Sequence, residues 1–277
     1  MNDELIANAV EEVTGVVLDA LARGETPTAD ALRMMLRGYL ATGRDDFRDA
    51  IEPALAHALE LAADSASDAS PSWLVLFAEA ADASQDSRLK EAAAGLAVKV
   101  RRNWGGAQPL GVTAASVDAF LRAFPVLDPQ PSGNAPLQEA IDELERLVSV
   151  AYEPGESVSG TLGDQLSVAA ALLTAFALTD RLPYSMLAEE LVQHARPGLL
   201  AEPPPFALAC DAVVVLSRMA ALHRHEEYLA AAVIAPDAHY ADDAALMLER
   251  LAPDAPGLGL AAAVYALAAG ELQSAFP

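Results

Sequence analysis

Side chains able to do chemistry are few in this chain, and they are scattered. Asp211 interrupts the apolar run 206–215, and a carboxylate in apolar surroundings needs a partner. Arg218 lies two turns further along the same predicted helix and reaches back only when fully extended. Functionally, Asp211 is a carboxylate turned towards an interior. Structurally, it is a hydrogen-bonded core residue tying two helical hairpins together, and this is the preferred reading. His223 and His225 sit at a predicted turn beside Glu226 and Glu227. Imidazoles and carboxylates can hold a metal ion. Helix positions two apart do not share a face, however, so a polar turn with histidine near a helix C-terminus is the simpler expectation, and no metal is predicted. Trp104 follows Arg101 and Arg102 and precedes Gly105 and Gly106. It could stack on a sugar while an arginine clasps a carboxylate or phosphate. The preferred reading is that it tucks against its own hairpin beyond a glycine cap. Cys210 reads as a small buried hydrophobe rather than a nucleophile.

Several chemistries are excluded by what the sequence lacks. It has no HExxH, no GxxxxGK[ST], no GxGxxG after a strand and no GxSxG. A single cysteine rules out an internal disulfide, a CxxC pair and a multi-cysteine zinc site. No cofactor is expected. The polar stretch 155–160 reads as a plain loop rather than a lid.

Charge narrows the partners. The 277 residues carry a net charge of −23, with only two lysines, Lys90 and Lys99. Phosphate binding needs clustered Lys and Arg, so nucleic acid is not expected, and neither is an anionic membrane surface. The acidic start, Met1-Asn2-Asp3-Glu4, has no basic region of the signal-peptide kind. No uncharged run approaches 18 residues without helix breakers. These features predict a soluble, cytoplasmic protein.

The elements that must position these residues are helices. With 61 Ala and 40 Leu, and few aromatic or β-branched residues, helix propensity dominates. Periodicity and breakers predict helices over 2–22, 28–42, 45–63, 72–82, 86–103, 113–124, 135–151, 163–179, 183–196, 206–222, 225–235, 239–251 and 257–273. No sustained alternation predicts a sheet. An ungapped repeat aligns Asp30–Phe47, Ser72–Leu89, Ser167–Tyr184 and Asp211–Tyr228. Each copy starts near a helix N-terminus, turns near Thr42, Ser84, Thr179 or His223, and sets Phe47, Leu89, Tyr184 or Tyr228 at the start of a second helix. Such a hairpin cannot bury its apolar face alone, so hairpins stack. Uncharged stretches such as 165–179 predict inner helices, and one-sidedly charged ones such as 86–103 predict outer helices. The expected fold is an all-α, single domain over 1–277. It is an α/α toroid of about six helical hairpins, or an open α-solenoid if the ring does not close.

The stretches LATGRDDFRDAIEPALAHALEL, LGDQLSVAAALLTAFALTD and ALACDAVVVLSRMAALHRHEEYLAAA resemble hairpins of the six-hairpin toroid superfamily, which includes N-acylglucosamine 2-epimerases and many glycosidases. The run Pro131-Ser132-Gly133-Asn134-Ala135, the run Gly163-Asp164-Gln165 and the ending LGLAAAVYALAAGELQSAFP are similar to the helical domain of bacterial proteins that join a thioredoxin-like domain to such a toroid. The resemblance implies a pocket at one ring mouth, where inner helices begin and free N–H groups favour anions. There it would gather Asp30, Trp73, Asn134, Asp164 and Gln165, with Trp104 as a further ligand contact. If the protein is an enzyme, Asp164 or Asp211 would act as acid/base and Trp104 or Trp73 as a stacking platform. Asp30, Asn134 and Asp164 also read as helix caps. The implied ligand is a carbohydrate-like small molecule. The alternative is a non-catalytic helical-repeat scaffold that binds a protein partner.

Overall fold

The helix-rich composition is realised in a computed structural model that describes residues 3–63, 70–102, 104–106, 108–128, 135–153, 157–202 and 204–276. The fold is all-α in class. Its helices are α1 (Asp3–Ala22), α2 (Ala29–Thr42), α3 (Asp45–Ala63), α4 (Pro71–Ser84), α5 (Ser87–Arg101), α6 (Leu110–Leu127), α7 (Ala135–Ala151), α8 (Leu162–Thr179), α9 (Leu182–Ala201), α10 (Phe206–Leu222), α11 (Glu226–Ala231), α12 (Tyr240–Leu251) and α13 (Ala263–Ala275). They fall into two compact units. The first comprises Met1–Ser67, Pro203–Ala220 and His239–Pro277, and the second Asp68–Glu202 and Ala221–Ala238.

Three local features depart from the sequence expectation. Helices α6 and α9 run through Pro125 and Pro197. A proline near a helix end removes one hydrogen bond without breaking the element. The C-terminal helix is split: Ala255–Ala262 is a 3₁₀ segment, where Gly259 (φ 59°, ψ −134°) interrupts helical geometry before α13 begins. A two-rung antiparallel pair also forms, β1 (Tyr152–Glu153) against β2 (Ser157–Val158), with Tyr152 opposite Val158. Two-residue strands are too short to show alternation in a sequence.

The repeat is visible atom by atom. Phe47, Leu89, Tyr184 and Tyr228 each occupy the third position of α3, α5, α9 and α11, and all four are buried. In the first three copies the turns share one hydrogen-bond pattern. Thr42 Oγ1 donates to the Gly38 carbonyl at 2.6 Å and accepts from the Arg44 N–H at 3.4 Å. Ser84 does the same with Ala80 (2.7 Å) and Asp86 (3.3 Å), and Thr179 with Ala175 (2.7 Å) and Arg181 (3.4 Å). The next residue in each, Gly43, Gln85 or Asp180, adopts the left-handed conformation and closes the helix.

In the second unit, cross-helix contacts fix direction. Gly111 meets Asp164 and Asp118 meets Thr174, so α6 and α8 run parallel. Glu145 meets Tyr184 and Tyr152 meets Glu190, so α7 and α9 run parallel too. The hairpins α6/α7 and α8/α9 therefore stack in the same sense. Leu121, Ile141, Leu144, Leu172 and Leu191 are fully buried in this unit, each contributing about 1.5–3 kcal/mol of apolar transfer. Leu110–Leu127, Leu162–Thr179 and Ala255–Ala275 are long and apolar enough to cross a membrane; 50, 44 and 39 % of these windows are buried inside the protein.

Candidate functional site

The start of α8 is built by its own sequence. Thr161 is the N-cap: its hydroxyl accepts from the Asp164 N–H at 3.2 Å, while Asp164 Oδ2 accepts from the Thr161 N–H at 2.7 Å and the Thr161 hydroxyl at 2.8 Å. This is a reciprocal capping box. The other oxygen, Oδ1, accepts from the Gly111 N–H at 2.8 Å, so one carboxylate joins the first turns of α6 and α8. Burial pushes the Asp164 pKa up, but the hydrogen bonds from Thr161 and Gly111 outweigh it and hold the carboxyl below its ordinary range. Two glycines make room for it. A Cβ on Gly111 would lie 2.5 Å from Oδ1, and one on Gly160 would lie 2.6 Å from Oδ2.

Gln165 follows directly. It is nine-tenths buried in the first turn of α8, and its Oε1 has no hydrogen-bond partner among the described residues. A buried amide oxygen without a donor is unusual, and among the described residues Gln165 Oε1 shares this state with atoms of Arg101, Arg122, Ser157, Ser217 and Tyr228.

Trp104 is held against α6. Its Nε1–H donates to Ser116 Oγ at 3.0 Å, and its ring meets Phe120 edge-on at 5.4 Å. Beneath it, Glu143 accepts from the Gly105 N–H at 3.0 Å and from Arg146 through both oxygens, at 2.7 and 2.8 Å. The Arg146 hydrogen bonds, opposed by burial and aided by Gly105, keep the Glu143 carboxyl below its ordinary range. The loop therefore rests on a bidentate ion pair. Arg101 pairs with Glu139 and lies 6.0 Å from the Trp104 ring centre. Trp73 is half-buried on α4 and packs on Phe77 at 5.8 Å.

The candidates divide between the two units. Trp73, Trp104, Asp164 and Gln165 belong to the second unit, whereas Asp30 and Asp211 belong to the first. Asp30 lies in the first turn of α2, whose cap is Thr28 instead, and pairs with Arg33 at 3.5 Å. Asp211 is exposed on α10, not in the core as the apolar run suggested. The run's periodicity explains this: Cys210, Ala212 and Val213 take the buried face and leave 211 outward. Asn134, with the rest of 131–134, lies outside the described residues. Cys210 is buried, and desolvation pushes its thiol up to about 12, so it is not a nucleophile.

One cluster escaped the sequence reading. Glu189 on α9 is fully buried and accepts from the Ile234 N–H at 2.8 Å and the Ala235 N–H at 3.1 Å, and it lies 2.9 Å from His223 Nε2. Burial pushes this carboxyl up, but the His223 ring and then the two amides outweigh that and leave it below its ordinary range. The Tyr228 ring lies 6.0 Å from the His223 ring. The carboxylate thus clamps the segment 223–235 onto α9. In the sequence Glu189 looks like any charge on an outer helix, and nothing in its spacing marks the partners. His223 and His225 gather no metal set: no group of three or more His, Cys, Asp or Glu side chains suited to a metal ion occurs among the described residues.

Fold and site together define an all-α protein of stacked helical hairpins. No protein-family model, no curated protein and no solved structure matches the chain.

Proposed function

We propose that the protein is a small-molecule binding toroid of about six helical hairpins, with its ligand side where the inner helices begin. The ligand class is carbohydrate-like, a polyhydroxylated molecule whose O–H donors suit a buried acceptor. One observation carries this reading: the unpartnered Gln165 Oε1 in the first turn of α8, the turn whose Asp164 also binds the start of α6. A buried acceptor left without a donor costs about 1–3 kcal/mol, a cost that makes sense where a ligand hydroxyl supplies the donor. The same-sense stacking of α6/α7 and α8/α9 supports a run of stacked hairpins, which we read as a closed ring, with an open α-solenoid as the alternative. We read the long apolar helices as core and the acidic protein as cytoplasmic, partnering neither membrane nor nucleic acid.

Thermal shift with sugars, sugar acids and sugar phosphates tests this, on wild type and on Gln165→Met. A ligand at about a hundred times its Kd raises stability by ~2.7 kcal/mol. The expected result is a stabilising hit that Gln165→Met abolishes. Silence across the panel, or a hit unchanged by Gln165→Met, overturns it. The second reading is then the better one: a non-catalytic scaffold for a protein partner. It is favoured by the way Asp164 and Asp30 are already engaged in a cap and an ion pair.

A further inference from the structure

In the first unit, a groove of about 660 Å³ opens between the C-terminal half of α1, the following loop and the first half of α3. Its floor is apolar: Leu18, Leu21 and Ala22 from one side, Ala50, Pro53 and Ala54 from the other. That volume falls within the range of clefts that hold small organic ligands, about 300–1,000 Å³.

The polar groups around this floor are of one sign. Asp19, Glu25, Asp46 and Asp49 line it, while no Lys or Arg does, and His57 stands at one end. Three of the four carboxylates have an arginine partner: Arg23 on Glu25 (2.7 Å), Arg44 on Asp46 (2.6 Å) and Arg48, shared with Asp45, on Asp49 (3.3 Å). Asp19 is exposed and has no ion-pair partner among the described residues.

Two backbone features add to the negative potential. Helix α1 ends at this groove with no basic residue in its last turn; the Arg23, Gly24 and Glu25 amides cap its end carbonyls and the Arg23 guanidinium just beyond is turned to Glu25, so the helix end adds a small negative potential there. Pro53 lies inside α3 and has no N–H to offer the Asp49 carbonyl four residues earlier, which leaves an acceptor without its helical donor on the groove wall.

An apolar floor, an unpaired carboxylate, a helix C-terminus and a freed carbonyl together fit a ligand with an apolar body and a cationic, hydrogen-donating head. We propose that the α1/α3 groove is a binding site for a small amphiphilic organic ammonium ion, with its chain on Leu18, Leu21, Ala50 and Ala54 and its charge at Asp19. This site is separate from the α8 site and does not depend on that reading.

Titration calorimetry on the full chain tests it, with octylammonium as the probe. Octanoate (same body, opposite charge), octanol (same body, no charge) and ammonium ion (charge alone) are the controls. The expected result is one octylammonium per chain, at least tenfold tighter than any control. Asp19→Lys, at an exposed position, should weaken binding tenfold or more without lowering the melting temperature. Ala54→Trp fills the floor and should abolish binding, with circular dichroism confirming that the helices remain. Octanol or octanoate binding as tightly as octylammonium overturns the proposal. So does unchanged uptake by Asp19→Lys, which would place the cation on the acidic surface at large.

Discussion

The turns after α2, α4 and α8 and the turn after α10 are four copies of one repeat, and they are held in two different ways. In the first three, a hydroxyl at Thr42, Ser84 or Thr179 binds its own helix end and the next N–H, so each turn is stabilised by residues within four positions of it. In the fourth, His223 stands at the hydroxyl's position. Its ring turns to Glu189, 34 positions away, which also holds the Ile234 and Ala235 amides. The same step in the chain is made three times by local chemistry and once by a buried carboxylate that must come from another helix. A fold can thus keep its repeat geometry while handing one turn over to tertiary structure.

The largest break in this comparison is Glu189→Ala. It strands two amides and an imidazole at once and should lower stability by about 3 kcal/mol in urea denaturation. Hydrogen exchange at Ile234 and Ala235 should speed up while the Thr42 and Thr179 turns keep their protection. Acid should imitate it. Because the Glu189 carboxyl titrates below its ordinary value, its contribution is complete above the unfolded pKa of about 4.3 and is lost as pH falls through the lower folded value. A denaturation series from pH 6 to pH 2 that left the Ile234 amide as protected as the Thr42 turn would refute the clamp.

His223→Thr tries to convert the fourth turn into one of the other three. The hydroxyl recovers local hydrogen bonds, but Glu189 loses a partner, so a net loss of about 1–2 kcal/mol is expected. The acid transition should also move to higher pH, since the carboxyl loses the group that lowers its pKa most. Thr179→Ala removes only local bonds, and a loss of about 1 kcal/mol by thermal melting is expected. Gln85→Gly should act in the opposite sense. Gln85 holds φ at 59°, a left-handed conformation that costs a side-chain-bearing residue about 1 kcal/mol, and glycine relieves it.

What could be read from the sequence follows the same division. The repeat, its hydroxyl turns and its anchors at Phe47, Leu89, Tyr184 and Tyr228 were legible because each is set by spacing along a single hairpin. Asp164 read as a helix cap itself, whereas the cap is Thr161 and Asp164 is the partner that completes its capping box three positions on. Its bond to Gly111 was not legible, because it comes from another hairpin. Asp211 was misplaced in the core because a run of apolar letters does not show which face a single carboxylate takes. Glu189 went unnoticed because its partners are backbone amides, which carry no letter. The orphan oxygen of Gln165 is invisible in principle, since the sequence cannot show which buried group lacks a donor.

The two glycines around Asp164 have a consequence for how this chain can drift. Gly111 and Gly160 lie far apart in sequence and belong to different segments, yet each is confined by one oxygen of the same carboxylate. Neither can accept even an alanine while the aspartate stays, and Gly160 is further restricted by its φ of 143°. Gly111 becomes free to vary only after position 164 has shrunk, so the order of changes matters: aspartate first, glycine second. Among divergent descendants of this sequence, a larger residue at 111 should always accompany a smaller one at 164.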